Sequence, residues 1–174
     1  MKFIKTKLGA YVIELEPKKD ERGQLVRTWS FDEFSANGID LNLLQGYVSY
    51  TSKKGTIRGI HYRTKKPFIA QLTKCIKGSY FEAIVDLRPE SKTFRKWEGF
   101  TIRAEDEKLL YLPEGFAHAV LTLEDDTIYI NYYNGFYSSE VEGGLRFDDP
   151  AFNIKWPVPV EIVSEKDKSW ENFQ

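Results

Sequence analysis

The sequence predicts a mainly β fold, an antiparallel sandwich or barrel with a few short helices. Residues 80–87 (YFEAIVDL) and 127–133 (TIYINYY) alternate their side chains with a period of two, which is typical of half-buried strands. The turn-forming triplets KKG, IKG and EGG, which end at residues 55, 78 and 144, separate such short runs. Short strands joined by tight turns indicate packed antiparallel sheets.

The two alternating runs predict which side chains share a face. In the first run the apolar stripe comprises Phe81, Ala83, Val85 and Leu87, and the opposite face comprises Tyr80, Glu82, Ile84 and Asp86. In the second run Tyr129, Asn131 and Tyr133 lie together, opposite Ile128, Ile130 and Tyr132. Helical patterning is scarce, and we predict helices only over 31–40 (FDEFSANGID), closed near Gly38, and over 165–173 (EKDKSWENF).

Residues 1–174 are predicted to form one domain, because this length suits one core and no linker or repeat interrupts it. Basic and acidic residues are mixed and the net charge is −1, which excludes the charge pattern of a nucleic-acid-binding protein. The single cysteine, Cys75, excludes an internal disulfide and indicates a reducing compartment. With no signal peptide or membrane span apparent, we expect a cytoplasmic protein.

The two histidines of the chain lie in dense motifs, His61 in GTIRGIHYR (55–63) and His118 in PEGFAHA (113–119). Pro113, Gly115 and His118 fit the P-x-G-x-x-H pattern of the cupin barrels, which often bind a metal. The second ligand of their H-x-H pair is replaced by Arg63, a permanent cation that cannot bind a metal. We therefore predict a cupin barrel without a metal site.

Each histidine could also be a hydrogen-bonded strand residue with no chemical role. Neighbouring glycine, arginine and proline residues, which shape the backbone near ligands, favour a functional role instead. Arg58 and His61 are three residues apart, so strict alternation would send them to opposite faces of a strand. Both can face one pocket if the strand is bulged near Gly59, and we predict such a bulge.

Several segments together identify a family resemblance. They are DERG (20–23), KKGTIRGIHYR (53–63), KGSYFEAIVDLRPESKTFRKW (77–97), LYLPEGFAHAVLTL (110–123), FDDPAFNIKWP (147–157) and SEKD (164–167). In this order they resemble the dTDP-4-dehydrorhamnose 3,5-epimerases, a family of cupin enzymes that act on nucleotide sugars. The resemblance covers nearly the whole chain and implies a double-stranded β-helix, that is, a jelly-roll barrel.

The resemblance implies a homodimeric epimerase of a nucleotide-diphosphate 4-keto-6-deoxysugar, active in carbohydrate biosynthesis without a cofactor. The ketone at carbon 4 acidifies the hydrogens on carbons 3 and 5. A general base removes one of them, an enolate forms, and an acid returns a proton to the opposite face. A single-carbon epimerase, a ketoisomerase on the same barrel and a nucleotide-sugar-binding relative without turnover are the alternatives.

Matching positions imply roles for individual residues. His61 would be the base, and Asp167 in SEKD would fix its tautomer and orientation. Arg22, Arg58 and His118 would bind the diphosphate and sugar, although Arg22 could equally be a turn residue of DERG. Asp86 could belong to the pocket or to a structural salt bridge.

Four positions depart from the family pattern. Gln71 stands where the family usually has a lysine that supports the oxyanion, so a neutral amide replaces a charge. Asn131 stands at the family's tyrosine acid, and Tyr129 or Tyr133 on the same face could supply a displaced phenol. A register slip would bring Tyr132 instead. Arg27 and Val48 replace residues that normally contact the base, so a nucleotide other than dTDP is an open alternative.

Overall fold

The computed structural model describes residues 1–173 and contains mostly short strands. The strands are β1 (Lys2–Lys5), β2 (Tyr11–Glu14), β3 (Lys18–Asp20), β4 (Gly23–Leu25), β5 (Gln45–Thr51), β6 (Ile57–Arg63), β7 (Gln71–Lys77), β8 (Ser79–Asp86), β9 (Trp97–Arg103), β10 (Lys108–Leu112), β11 (Phe116–Thr122), β12 (Thr127–Tyr133) and β13 (Glu142–Gly144). The helices are α1 (Phe31–Ala36), α2 (Glu165–Lys168) and two 3₁₀ turns, Ala104–Asp106 and Ser139–Val141.

Two antiparallel sheets form the barrel. One has the strand order β1-β2-β10-β7-β12-β5, the other has the order β13-β6-β11-β8-β9, and β3 and β4 pair separately as a hairpin. Inward-facing side chains of both sheets form one core cluster, with Tyr80, Ile84 and Val120 from one sheet and Leu110 and Tyr129 from the other. This arrangement confirms the predicted mainly β, two-sheet architecture.

The C-terminal segment covers the outer face of the five-stranded sheet. Leu145 and Phe152 join a core cluster with Ala117, Ala119 and Leu121 of β11. This packing holds the chain against the sheet until residue 162, where Ile162 forms a parallel bridge with Thr56, just before β6. Helix α2 follows directly and contacts β6. Burial of apolar surface thus brings residues 164–167 back to the strand that carries His61.

The predicted helices are shorter in the structure. Helix α1 ends at Ala36 instead of extending to residue 40, and Gly38 follows with a φ of +73° that ends the helix readily. Helix α2 ends at Lys168 and not at residue 173, although Ser164 caps it by accepting a hydrogen bond from the Asp167 amide. The EGG triplet forms strand β13 beside β6, so its prediction as a turn is wrong.

Strand β8 is buried on both faces. Its polar face therefore points into the barrel interior rather than toward water. Asp86, on that face, pairs with Arg88 at 2.8 Å and accepts hydrogen bonds from Ser91 and Thr93. Burial would raise the pKa of Asp86, but these hydrogen bonds outweigh it and hold the pKa well below its usual range. Asp86 lines neither of the two cavities described below, which favours the salt-bridge alternative.

Candidate active site

A bulge in β6 brings Arg58 and His61 to the same cavity. His61 pairs with His118 of β11, whereas Arg58 pairs with Val120, so β6 has one residue more than β11 between these pairs. Gly59 lies at the bulge with a φ of +117°, and the Gly59–Ile60 peptide is cis. A Cβ on Gly59 would lie 2.6 Å from the His118 carbonyl oxygen. The bulge predicted near Gly59 is confirmed, and only glycine fits this position without displacing β11.

Two adjoining cavities occupy the barrel interior, and both are lined by His61, His118 and Tyr133. The larger, about 480 Å³, is lined by several polar side chains, namely Arg58, Ser49, Asn131, Ser164, Lys166 and Asp167. The smaller, about 210 Å³, is lined by Gln71 and by the aromatic side chains of Tyr47, Tyr62, Phe68, Phe116, Phe136 and Tyr137. The shared residues mark the point where a ligand could contact both cavities.

His61 and Asp167 form a short hydrogen-bonded pair at this junction. The Nε2 atom of His61 lies 2.6 Å from Oδ1 of Asp167, a side chain that is nearly buried. The backbone amide of Gly59 and the indole N–H of Trp170 also donate to this carboxylate, at 3.4 and 3.3 Å. Burial would raise the pKa of Asp167, but the interactions with His61, Ser164 and Gly59 lower it, so it is ionised.

The ionised carboxylate fixes the tautomer of His61. A carboxylate only accepts hydrogen bonds, so Nε2 carries the proton that His61 donates to Asp167. The other ring nitrogen, Nδ1, then keeps its lone pair and can accept a proton. Asp167 also stabilises the imidazolium that forms when Nδ1 becomes protonated. His61 is therefore arranged as a general base.

A second histidine–carboxylate pair involves Glu82, whose role the sequence did not suggest. Nδ1 of His118 lies 2.9 Å from Oε1 of Glu82, and Glu82 is fully buried on β8. The Gln71 amide donates to the same oxygen at 3.3 Å and to Oδ1 of Asn131 at 3.4 Å. Glu82 lies between Tyr80 and Ile84 on the inward face of β8, and this position in the alternation was the available signal.

The structure distinguishes between the tyrosines that could replace the acid. Tyr133 lines both cavities beside His61, whereas Tyr129 lines only the larger one and packs against Tyr80 with ring centroids 5.1 Å apart. Tyr132 packs on the opposite side of β12, against the cluster that includes Phe34, so the register slip does not occur. Burial raises the pKa of the Tyr133 phenol well above its ordinary value and keeps it protonated.

Arg22 does not reach the cavities of its own chain. It lies in the exposed hairpin of β3 and β4, where it pairs with Asp20, and this fits the turn-residue alternative within one chain. Arg27 pairs with Glu33, and Val48 is exposed on β5; neither lines a cavity. These three positions lie apart from the other predicted site residues, which the fold does bring together.

A charged cluster at the cavities was missed from the sequence. Glu142 of β13 accepts hydrogen bonds from Lys166 at 2.6 Å and from the Tyr137 hydroxyl at 2.7 Å. Lys166 lines the larger cavity, whereas Glu142 and Tyr137 line the smaller one. Only the position of Lys166 next to Asp167 in SEKD gave a sign of this cluster. It connects α2 to β13 beside His61 and Asp167.

Residues 1–173 contain no group of three or more His, Cys, Asp or Glu side chains arranged to hold a metal ion. The possible metal ligands nearest to His61 and His118 are single carboxylates, and each of them already binds one imidazole.

Within residues 1–173, the helices are too short and too polar for any of them to cross a membrane.

Comparison with known proteins decides the family. Residues 5–174 match the family model described as dTDP-4-dehydrorhamnose 3,5-epimerase. The chain belongs to this family. A dTDP-4-dehydrorhamnose 3,5-epimerase of Methanothermobacter thermautotrophicus is 38% identical, and the match covers 98% of this chain and 93% of that protein. The predicted resemblance is thereby confirmed, as is the cupin-type barrel that it implied.

Solved structures of epimerases of this kind superpose closely on the chain. The dTDP-4-dehydrorhamnose 3,5-epimerase of Bacillus anthracis, with TDP and PPi bound, has a TM-score of 0.94 at 32% identity over 99% of both chains. A 3'-monoepimerase of Streptomyces bikiniensis, in complex with dTDP-quinovose, has a TM-score of 0.90 at 29% identity. That match covers 97% of this chain and 86% of the monoepimerase. The barrel therefore serves epimerases that act at one carbon as well as those that act at two.

Proposed function

We propose that this protein epimerises a nucleotide-diphosphate 4-keto-6-deoxysugar by removing a proton next to the ketone and returning one to the opposite face. The observation that carries this proposal is the His61–Asp167 pair, at 2.6 Å, at the junction of two cavities that also contain Arg58 and Tyr133. Family membership supports the substrate class. Together they combine a base, a phosphate-binding cation and a proton donor in one site.

His61 is the proposed base. Nδ1 takes the hydrogen of the carbon beside the ketone as a proton, and the electron pair of that C–H bond forms the enolate. Asp167 holds the imidazole in the reactive tautomer and stabilises its positive charge after the transfer. The Gln71 amide lines the smaller cavity, but both of its N–H groups are directed to Glu82 and Asn131. It therefore contributes less to the enolate oxygen than a free donor would.

Arg58 and His118 are the proposed substrate-binding residues within one chain. Arg58 lines the larger cavity and, within residues 1–173, has one side-chain hydrogen bond, from Nε to Thr51 at 3.3 Å. The outer nitrogens of its guanidinium group are thus free to bind diphosphate oxygens. Lys166 lies in the same cavity, but Glu142 offsets its charge. Arg58 therefore favours binding of the diphosphate in the larger cavity.

A homodimer is the proposed assembly, and the cytoplasm is the proposed location. Strand β5 is an edge of the six-stranded sheet, and Val48 and Tyr50, on the face opposite Tyr47, form an exposed strip that a second copy would cover. A substrate-binding role for Arg22 requires its hairpin to reach the cavity of that second copy. The proposed dimer therefore accounts for the exposure of both features.

The reprotonating acid is proposed to be Tyr133. Replacing Tyr133 by phenylalanine is expected to slow inversion of the sugar carbon by about 10²–10⁴-fold, because the phenol returns the proton to the face opposite His61. Tyr129→Phe is the matched control, since it removes a hydroxyl from the same face of the same strand, and we expect a loss of less than about tenfold. Equal rates in the two variants would show that Tyr133 is not the acid.

The reaction is expected to favour one carbon. In deuterated water with dTDP-4-keto-6-deoxyglucose, exchange at one of carbons 3 and 5 should be at least about tenfold slower than at the other, a difference of about 1.4 kcal/mol in barrier. The reason is that Asn131 occupies the position of the acid and a displaced phenol cannot serve both carbons equally. NMR or mass spectrometry of the recovered sugar measures the position and rate of labelling.

Asn131→Tyr should raise the slower exchange in the same assay. The new phenol would lie beside Tyr133 on β12 and provide a donor from the position that the wild-type amide occupies. Equal labelling of both carbons by the wild-type protein would contradict the single-carbon preference and leave an ordinary 3,5-epimerase. An absence of label at both carbons, together with tight binding of dTDP, would instead indicate a nucleotide-sugar-binding protein without turnover.

Epimerisation at a single carbon is the second candidate function. Asn131 favours it, because an amide cannot act as a proton-donating acid, and the similar 3'-monoepimerase shows that the barrel supports such enzymes. The labelled position in the deuterium experiment distinguishes the two functions directly.

A further inference from the structure

The buried acid Glu82 provides an inference that rests on the proposed function and goes beyond it. Glu82 is fully buried between the two sheets. Among residues 1–173, the groups within hydrogen-bonding distance of its carboxyl are His118 and Gln71, and neither is a lysine or arginine. An isolated carboxylate is costly to bury, so either the carboxyl is neutral or His118 supplies the opposite charge.

The hydrogen-bond geometry favours a charge on both partners. Oε1 of Glu82 accepts from the Gln71 amide and lies 2.9 Å from Nδ1 of His118, and an ionised Oε1 can accept from both groups. Oε2 is buried and has no hydrogen-bond partner in the described part of the chain. A proton there would be a buried O–H without an acceptor, which is unfavourable. A proton on Nε2 of His118 would instead face the cavities.

The position of His118 would allow this proton on Nε2 to contact the substrate. His118 and His61 are paired residues on neighbouring strands, and their side chains project from the same face of the sheet. Side chains at such paired positions have Cβ atoms about 4.5–5.5 Å apart. The 4-keto oxygen of the substrate is bonded to the carbon adjacent to the one that His61 deprotonates. It therefore lies within reach of His118.

We propose that Glu82 holds His118 as an imidazolium, and that Nε2–H of His118 donates a charge-assisted hydrogen bond to the 4-keto oxygen as it becomes an enolate. No proton transfer by His118 is required. His61 takes the proton from carbon, negative charge develops on the oxygen, and the bond from His118 stabilises that charge until a proton returns to carbon. Glu82 acts only through His118 and is thus a positioning residue.

The low histidine content of the chain makes this testable by NMR without substrate. Because the sequence contains two histidines, His61→Asn leaves His118 as the only imidazole. In that variant at neutral pH, the ¹⁵N chemical shifts are expected to show a proton on both ring nitrogens of His118. In the His61→Asn/Glu82→Gln variant, the shifts should change to those of a neutral imidazole with one protonated nitrogen. The added change is nearly isosteric, and it removes the charge while keeping one acceptor oxygen.

Substitutions at Gln71 provide a second, independent test if the Glu82 variant does not fold. In the His61→Asn background, Gln71→Lys places a cation beside Glu82, so His118 should lose one proton. Gln71→Met is the matched control, since it removes the amide donor without adding charge, and both nitrogens of His118 should stay protonated.

With His61 intact, Glu82→Gln should also slow deuterium exchange by about 10- to 100-fold, less than the loss of a whole oxyanion donor costs.

The outcomes separate this proposal from the proposed function. A neutral His118 in His61→Asn, or an imidazolium that survives both Glu82→Gln and Gln71→Lys, would overturn the role of Glu82 and leave the epimerase proposal standing. A doubly protonated His118 in a protein whose wild type catalyses no deuterium exchange would support the charge pair and overturn the epimerase.

Discussion

Deuterium exchange into the sugar is expected to fall by about 10²–10⁴-fold in His61→Asn, the range that a positioned general base contributes. Asparagine has no basic nitrogen, and its shorter side chain ends near the position of Nδ1. The hydrogen bond from Nε2 to Asp167 is therefore lost as well, while the Gly59 amide and the Trp170 indole still donate to that carboxylate. Nucleotide affinity should stay within a few-fold, because the imidazole acts on a sugar carbon and contributes little to phosphate binding. Exchange by ¹H NMR and binding of dTDP by calorimetry measure the two effects.

Arg58→Ala is the contrasting variant for this prediction. It removes a charged phosphate partner from the larger cavity, an interaction that contributes roughly 1.5–3 kcal/mol and corresponds to about a 10- to 150-fold increase in KM. Its kcat should change less than that of His61→Asn. Full exchange activity in the His61 variant, or loss of affinity there as large as in Arg58→Ala, would refute the assignment of His61 as the base.

Gly59→Ala is expected to destabilise the protein by on the order of 4 kcal/mol, the combined cost of backbone strain and overpacking. Gly59 has a φ of +117°, and an added Cβ would lie 2.6 Å from the His118 carbonyl oxygen and 2.8 Å from Cα of Ala119. These contacts are with backbone atoms of a central strand, which cannot move without disturbing both histidines. Urea unfolding monitored by tryptophan fluorescence measures the free energy of unfolding.

Gly23→Ala is the matched control for Gly59→Ala. Gly23 has a similar φ of +125°, but no atom lies within 4 Å of the position where its Cβ would be built. The substitution therefore imposes the backbone strain without the clash, and should cost on the order of 1–2 kcal/mol. If the two variants unfold at the same urea concentration, the close approach of β11 to Gly59 is not the reason that glycine is needed at position 59.

The fold was predictable because its signals are local. Alternation in residues 80–87 and 127–133 corresponds to β8 and β12, and the triplets that end at residues 55 and 78 lie where β5 joins β6 and where β7 joins β8. The helices were predicted too long. Helix α1 ends at the local stop signal of Asn37 and Gly38, which the prediction placed inside the helix, whereas residues 169–173 contain residues compatible with a helix. The EGG triplet became a strand because β6 offers it a pairing edge, which no local pattern reveals.

The site was predictable only in part. The bulge at Gly59 followed from the spacing of Arg58 and His61, a local argument. The pairing of His61 with Asp167 spans 106 residues and depends on the C-terminal segment packing over the five-stranded sheet, so only the family resemblance suggested it. Glu82 was overlooked because a polar residue in an alternating strand usually faces water, whereas both faces of β8 are covered here.

The junction of the two cavities has a consequence for the design of inhibitors. An anionic fragment beside Arg58 in the 480 Å³ cavity and an aromatic fragment in the 210 Å³ cavity would both end next to His61, His118 and Tyr133. A short linker across this point makes the second binding event intramolecular, so that the joined compound binds far more tightly than either fragment alone. Such a compound would also contact the three side chains proposed for catalysis. Substitutions of these side chains that weaken its binding would therefore also lower the enzyme's activity.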